Sequence, residues 1–173
     1  MIRFILIFLL LPLSALAQEA PDEPPMTMSR MAEIVLRLDP DARLGLNGFD
    51  FHVGDVPVLI VADPGADRMR AMVPIASAAG VSDEELRRMM QANFDSALDA
   101  RYAIAQGRIW SVFIHPLSPL KRDQLISGIG QTVNAAQTYG GLYTGGALQF
   151  GGGDSGALQR DLIDDLLERG QEL

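Results

Sequence analysis

The residues best suited to acid–base or metal chemistry are the two histidines, His52 and His115, in a chain without cysteine. They lie far apart in the sequence, each within a predicted strand. A zinc site usually shows two ligands at a short, regular spacing, and neither histidine has such a neighbour. A metal site with Asp50 or Asp55 beside His52 is conceivable, but ordinary strand histidines are the simpler interpretation. The sequence therefore predicts no metal and no cofactor.

A second candidate is the Gly-Asp-Ser-Gly run at 153–156, which is similar to the nucleophile motif of chymotrypsin-like proteases. Those enzymes need two β-barrels and a longer chain, and this run ends a glycine-rich stretch, 140–156. The stretch lacks the Lys-Ser/Thr of a phosphate-binding loop, and the sequence has no G-x-S-x-G elbow. We therefore predict a non-enzymatic protein. A small hydrolase that depends on His52 or His115 is the less favoured alternative.

The first 17 residues have the pattern of a secretory signal peptide. Arg3 precedes an apolar run, and Ala15-Leu16-Ala17 forms a small-x-small cleavage site. The run is shorter than the roughly 20 apolar residues that span a bilayer, so we expect cleavage after Ala17 and no stable membrane anchor. The mature protein is expected to be periplasmic or secreted. Residues 18–27, rich in proline and acid, are predicted to be a flexible lead-in.

The formal net charge is −8. Nucleic acids and anionic membrane surfaces bind basic proteins, because positive side chains must replace their counterions. This charge therefore disfavours both as partners. A chain exported without disulfides must also be stabilised by packing alone, which the length of one ordinary domain allows.

The clearest structural pattern lies at 82–117 and would position most of the candidate residues. Ser82 and Glu85 form a capping box that begins a helix. Six apolar residues then recur at helical spacing and predict one buried stripe: Leu86, Met89, Met90, Phe94, Ala97 and Leu98. We expect the amide of Asn93, which lies beside this stripe, to pair with a backbone group.

Two strands follow this helix, at 101–106 and 109–115, joined by a Gln106-Gly107 turn. The second strand is apolar on both faces, with Trp110, Val112 and Ile114 on one and Ile109 and Phe113 on the other. Such a strand is usually buried on both faces. We therefore expect it either to be central in a sheet or to be covered by a partner.

The rest of the chain supplies four further predicted units. They are a helix at 29–38, three strands in a meander at 49–53, 56–62 and 68–75, a helix from Ser118-Pro119 to about Tyr139, and a final amphipathic helix at 157–173. Gly128 and Gly130 lie inside the third helix, where something must pack closely. The predicted fold is α+β, in the order α-β-β-β-α-β-β-α, with an antiparallel sheet, the glycine-rich segment and the extra helix.

The runs MMQANF, DARYAI and GRIWSVFIHPLSPL, in this order of elements, resemble the bacterial YbjN family and the related Tir-type chaperones of type III secretion. The matching positions are Met89, Met90, Asn93, Phe94, Tyr102, Trp110, Pro116 and Leu117. The resemblance covers about residues 28–139. It implies an α/β sandwich that is often dimeric and, in the secretion chaperones, apolar patches on which an unfolded client segment winds. The export signal and the glycine-rich segment are additions to that pattern.

We therefore expect an exported, chaperone-like module that binds a protein or peptide partner and forms a homodimer. The candidate partner-binding residues are Met89, Met90, Phe94, Trp110 and Phe113. Methionine adapts to varied partners, although a place in the core is the favoured interpretation of these methionines. A second hypothesis is an envelope adaptor that binds one dedicated partner through its C-terminal helix. That helix either folds back on its own domain or docks on another chain.

Overall fold

The computed structural model describes residues 23–140 and 156–171. The predicted signal peptide, most of the predicted glycine-rich linker and the Asp154-Ser155 pair lie outside the described residues. Within the described ranges, no helix is both long and apolar enough to cross a lipid bilayer.

Helices and strands follow one another in the predicted order. The elements are α1 (Met28–Leu38), β1 (Arg43–Leu44), β2 (Gly48–Val53), β3 (Val56–Asp63), β4 (Arg68–Ser77), α2 (Asp83–Asp95), β5 (Arg101–Ala105), β6 (Arg108–Pro116), α3 (Arg122–Gln137) and α4 (Gly156–Gln171). The strands form one antiparallel sheet of six strands in the order β1-β2-β3-β4-β6-β5. The α+β prediction is confirmed. The two-residue β1 was not predicted, because so short a strand carries no alternating pattern.

Two tight hairpins set the register of the sheet. Gly54 has a positive φ of 59° in the turn between β2 and β3. Gln106 and Gly107, with φ values of 52° and 71°, form the turn between β5 and β6. Positive φ at both central residues, as in the second turn, or at the first of them alone, as in the turn at Gly54, matches the twist of a two-residue hairpin. The second hairpin places β6 between β4 and β5, so the prediction of a central strand is confirmed.

The core lies on one face of the sheet, which we call the covered face. Phe49, Ile60, Ala71 and Phe113 stand in register across β2, β3, β4 and β6, and all four are buried. Helix α3 lies directly over them. A β-carbon added at Gly128 would stand 2.5 Å from Cδ1 of Phe113. The close packing predicted from this glycine is therefore present.

Helix α3 begins later than the sequence predicted. Its N-cap is Lys121, whose N–H donates to the Gln124 side chain at 2.9 Å. Ser118, the predicted cap, is used elsewhere, because its N–H and its hydroxyl donate to the two carboxylate oxygens of Asp67, at 2.6 and 3.0 Å. The predicted start at Ser118-Pro119 is wrong because this distant aspartate binds the serine.

The described part of the predicted lead-in, 23–27, packs on the domain. The Met26 side chain is buried, and its N–H donates to the carbonyl of Ser118 at 3.0 Å. Glu23 forms an ion pair with Arg30 at 3.2 Å. These five residues therefore belong to the folded domain and are not a free tail.

Helix α4 folds back on its own domain. Leu166 is fully buried, and a β-carbon added at Gly130 of α3 would stand 2.7 Å from Cγ1 of Ile163. A β-carbon at Gly170 would meet Ile126 in the same way. Small residues on both helices thus allow the two backbones to approach closely.

Candidate functional site

The face of the sheet opposite the helices is the candidate site, and we call it the open face. No helix of residues 23–140 or 156–171 packs on it. Its residues form three rows across the strands: Val61, Arg70 and Ile114; Leu59, Met72, Val112 and Arg101; and Pro74, Trp110 and Ala103. Val61 is 47% exposed and Ile114 is 57% exposed. The open face is therefore an apolar sheet surface in contact with solvent.

A groove of about 1110 Å³ runs from the open face over the β5 side of the sheet. β5 pairs with β6 only as far as Arg101, which stands opposite Val112. The last residues of β6, 113–116, therefore have no strand on that side within the described chain. Met72 and Trp110 line the groove on the open face, and Ile163 of α4 lines its other side.

The five candidate residues from the sequence lie in three different surroundings. Met89 and Phe113 are buried on the covered face, so neither side chain is free for a partner in this conformation, although the edge of Phe113 lines the groove. Trp110 is half-buried on the open face, and its Nε1–H donates to the carbonyl of Ala105 at 3.1 Å. Met90 and Phe94 are 58% and 70% exposed on α2. The fold does not bring the five into one site.

The predicted stripe of α2 is wrong at Met90 and Phe94. The buried residues of this helix are Met89, Ala92 and Asp95, and the helix ends at Asp95. The helix packs against β5 and α3 through this narrow face alone. The predicted stripe is wider than the face, so part of it stays exposed. Sequence reasoning also missed Val61 and Met72, although an apolar residue on the outer side of a strand was a usable signal.

The side chain of Asn93 hydrogen-bonds to the outer edge of β5. The prediction that this amide pairs with a backbone group is confirmed. Its Nδ2 donates to the carbonyl of Tyr102 at 3.2 Å, and its Oδ1 accepts from the N–H of Tyr102 at 2.7 Å. The amide thus pairs with this residue as a neighbouring strand would. Because unpaired edge groups recruit other strands, Asn93 makes this part of β5 unavailable for pairing.

Substitution of Asn93 by alanine is expected to lower the free energy of unfolding by about 1 to 3 kcal/mol, because two partly buried backbone groups lose their partner. Hydrogen exchange at the Tyr102 amide should accelerate by more than exchange elsewhere in the sheet. Arg87→Ala on the exposed side of α2 is the control. Unchanged exchange at Tyr102 would show that the amide does not protect this edge.

Tyr102 packs beneath α3. Its hydroxyl donates to the carbonyl of Ala135 at 2.7 Å, and its ring lies 6.1 Å from that of Tyr139. Burial, the largest cause, raises the pKa of Tyr102 to about 12; within this value a hydrogen bond with Thr138 acts to lower the pKa and the neighbouring Tyr139 acts to raise it. The phenol is therefore held in its neutral form well above its ordinary range.

This pKa predicts a loss of stability at high pH. The folded pKa is above the unfolded value, so the neutral phenol favours the fold below about pH 10, and this contribution disappears as pH rises toward 12. We expect a loss of about 2 to 3 kcal/mol over that interval, measured by urea denaturation. Tyr102→Phe, which has no hydroxyl to ionise, should lose less. Equal losses in both proteins would contradict the assignment.

The two histidines do not share a site. His52 lies on the open side of β2, whereas His115 lies on the covered side of β6, with β3 and β4 between these strands. The Nδ1 of His115 is 2.7 Å from the carbonyl of Pro116, and its ring stacks on Phe113. Among the residues that the structure describes, no three His, Asp or Glu side chains are grouped so that they could hold a metal ion.

No family model matches the sequence, and none of the curated proteins matches it significantly. The resemblance to the YbjN family therefore stays a prediction from the quoted runs.

Proposed function

We propose that this protein is an exported, non-enzymatic, chaperone-like module that binds apolar segments of other proteins. The proposal depends on the open face. Val61 and Ile114 are exposed there, so covering this surface with a partner is favourable in free energy. The solvated face of an antiparallel sheet is usually polar, whereas this one carries exposed Val61 and Ile114. The YbjN-like pattern of the sequence supports the same class of function.

The two alternative functions have less support. The adaptor hypothesis needs the apolar side of the C-terminal helix to be free, whereas Leu166 is buried against the domain. The hydrolase hypothesis needs a polar cluster around His52 or His115, and these lie on opposite faces of the sheet. We therefore favour the binding module.

The homodimer that the resemblance implies also stays a proposal. The exposed Met90 and Phe94 on α2 and the half-exposed Ile104 on β5 are the apolar residues that a second copy could cover. Light scattering of the chain from Gln18 onward would give its mass. A monomer at all concentrations would contradict the dimer.

Substitution of Ile114 by serine tests the open face. Ile114 is largely exposed, so we expect little change in stability but about fivefold weaker binding of an apolar segment, since roughly half of its side chain would be newly buried in the complex. Suppression of aggregation of a chemically unfolded model protein is the measurement. Leu46→Ser, in the exposed loop before β2, is the matched control.

Three results would decide the assignment. Weaker suppression by the Ile114 variant, with the Leu46 variant unchanged, supports the open face. Loss through Phe94→Ser alone would instead place binding on α2 and overturn the open-face assignment. Absence of suppression by the unaltered protein would overturn the chaperone-like proposal.

A further inference from the structure

Besides Arg43, which pairs with Asp50, four arginines lie on the open side of the sheet in a chain whose net charge is −8. They are Arg68, Arg70, Arg101 and Arg108, and all are exposed. None forms an ion pair with a carboxylate of the described ranges, whereas Arg30, Arg43, Arg88, Arg122 and Arg169 do. The positive charge on this face is thus available to a partner.

The strand register places two of these arginines within the apolar rows. Arg70 stands between Val61 and Ile114, and Arg101 ends the row that contains Met72 and Val112. Arg68 is less available, because Asp63 stands directly opposite it on β3. The open face therefore combines an apolar surface with two guanidinium groups that form no ion pair with a described carboxylate, although Nη1 of Arg101 donates to the carbonyl of Ala100 at 2.6 Å.

Carboxylates on this side of the sheet form no ion pair with the two arginines within the described ranges. Asp50, at the far end of the Met72 row, is 3.9 Å from Arg43. Asp123, on the helix side of the groove, is 2.9 Å from Arg122. Asp99, also in the groove, lies 3.5 Å from the Gln131 amide. Negative side chains of a partner are thus expected to bind at the sheet and not at the helix side of the groove.

The position of the face in the sheet favours a helix over an extended strand. β3 and β4 have a hydrogen-bonded strand on both sides along these rows, and so does β6 as far as Val112, although residues 113–116 of β6 have no strand on the β5 side within the described chain. An extended segment lying across them would therefore bury its own backbone N–H and C=O groups without partners. A helix satisfies these groups internally, and an apolar stripe on one side of it can contact the sheet.

Two other occupants fit less well. An anionic membrane offers both negative and apolar groups, but its extended surface would also face the acidic rest of the chain, whereas a single helix contacts the open face alone. The α4 helix of a second copy offers Asp161, Asp164 and Asp165, but its apolar side already packs on its own domain.

We infer that the open face binds an acidic amphipathic helix of a partner protein. Its apolar stripe lies on Met72, Val112 and Ile114, and its carboxylates pair with Arg70 and Arg101. This inference rests on the proposed protein-binding function and adds the charge and the conformation of the bound segment. Opposite charges also accelerate association and select among partners.

Three model peptides test the inference. They share one leucine stripe at helical spacing and carry Glu, Gln or Lys at every polar position. Binding is measured by fluorescence anisotropy at low and high salt. The Glu peptide should bind about tenfold more tightly than the Gln peptide, and this preference should decrease as salt screens the charges. The Lys peptide should bind most weakly.

Charge reversal at the two arginines gives the matched comparison. The Arg70→Glu/Arg101→Glu variant should lose the preference for the Glu peptide. The Arg37→Glu/Arg87→Glu variant has the same net charge, with both changes at exposed positions on α1 and α2, and should keep the preference. Circular dichroism confirms that each variant is folded.

The remaining outcomes overturn the inference in distinguishable ways. Equal binding of the Glu and Gln peptides, lost in Ile114→Ser, would reject the acidic partner and leave the protein-binding function in place. Failure to bind any peptide, with aggregation suppression still dependent on Ile114, would reject the helix. Binding of phosphatidylglycerol vesicles through Arg70 and Arg101, without peptide binding, would assign the face to a membrane. Self-association through the arginines would assign it to a second copy.

Discussion

Substitution of Gly128 by alanine is expected to lower the free energy of unfolding by about 1 to 3 kcal/mol. The added β-carbon would stand 2.5 to 2.8 Å from three ring atoms of Phe113, whose side chain is buried between the sheet and α3. Alanine is more favourable than glycine in a helix interior by about 1 kcal/mol. The measured loss is therefore the steric cost of the clash minus this gain. Urea denaturation measures it.

A double-mutant cycle isolates the contact. Phe113→Val removes the ring atoms that the new methyl group would meet. In this background Gly128→Ala should therefore cost less than alone, or should stabilise the protein. Gln137→Ala, at an exposed position of the same helix, is the control. If Gly128→Ala stabilises the unaltered protein, α3 does not lie as close to β6 as the structure places it.

Substitution of Leu166 by alanine is expected to cost about 2 to 5 kcal/mol, because it leaves a cavity in the core. Leu166 is fully buried and belongs to the same cluster as Ile126 and Ile129 of α3. Thermal and urea unfolding measure the loss. Glu168→Ala, on the exposed side of α4, should change stability by less than about 0.5 kcal/mol.

This substitution also tests whether α4 is bound to its own domain. The structure predicts a loss of stability that does not depend on protein concentration. If Leu166→Ala left the stability of the monomer unchanged but altered the mass of an oligomer, the helix would dock on another chain. The adaptor hypothesis would then regain its support.

The stability of the folded monomer does not require the apolar residues of the open face. Val61 and Ile114 are exposed, so serine or threonine would be tolerated there on grounds of stability alone. Apolar side chains at these positions, beside Arg70, are therefore consistent with a binding role. The peptide experiment measures that role directly.

Elements that depend on neighbours in the sequence were predictable. The capping box of Ser82 and Glu85 is present, with the serine hydroxyl accepting from the Glu85 N–H at 3.2 Å. The turn predicted at Gln106-Gly107 is present, with positive φ at both residues. Each of these features is formed within about four residues, so local composition determines it.

Features that depend on distant residues were not predictable in the same way. The start of α3 shifted because Asp67 binds Ser118 from 51 positions away. The sequence indicated that Asn93 would pair with a backbone group, but only the fold identified Tyr102 as that group. Long-range partners are chosen by packing, which short patterns do not record.

The sequence by itself determined the compositional charge, the order of the helices and strands and the alternation of side chains along β6. Only the tertiary structure decided which face of β6 is covered, because both faces are apolar. Gly128 lets α3 approach over Phe113 and Ile109, and this leaves Trp110, Val112 and Ile114 on the open face. The arginines of three separate strands, Arg70, Arg101 and Arg108, come to that same face because strand register, not sequence distance, sets which side chains are neighbours.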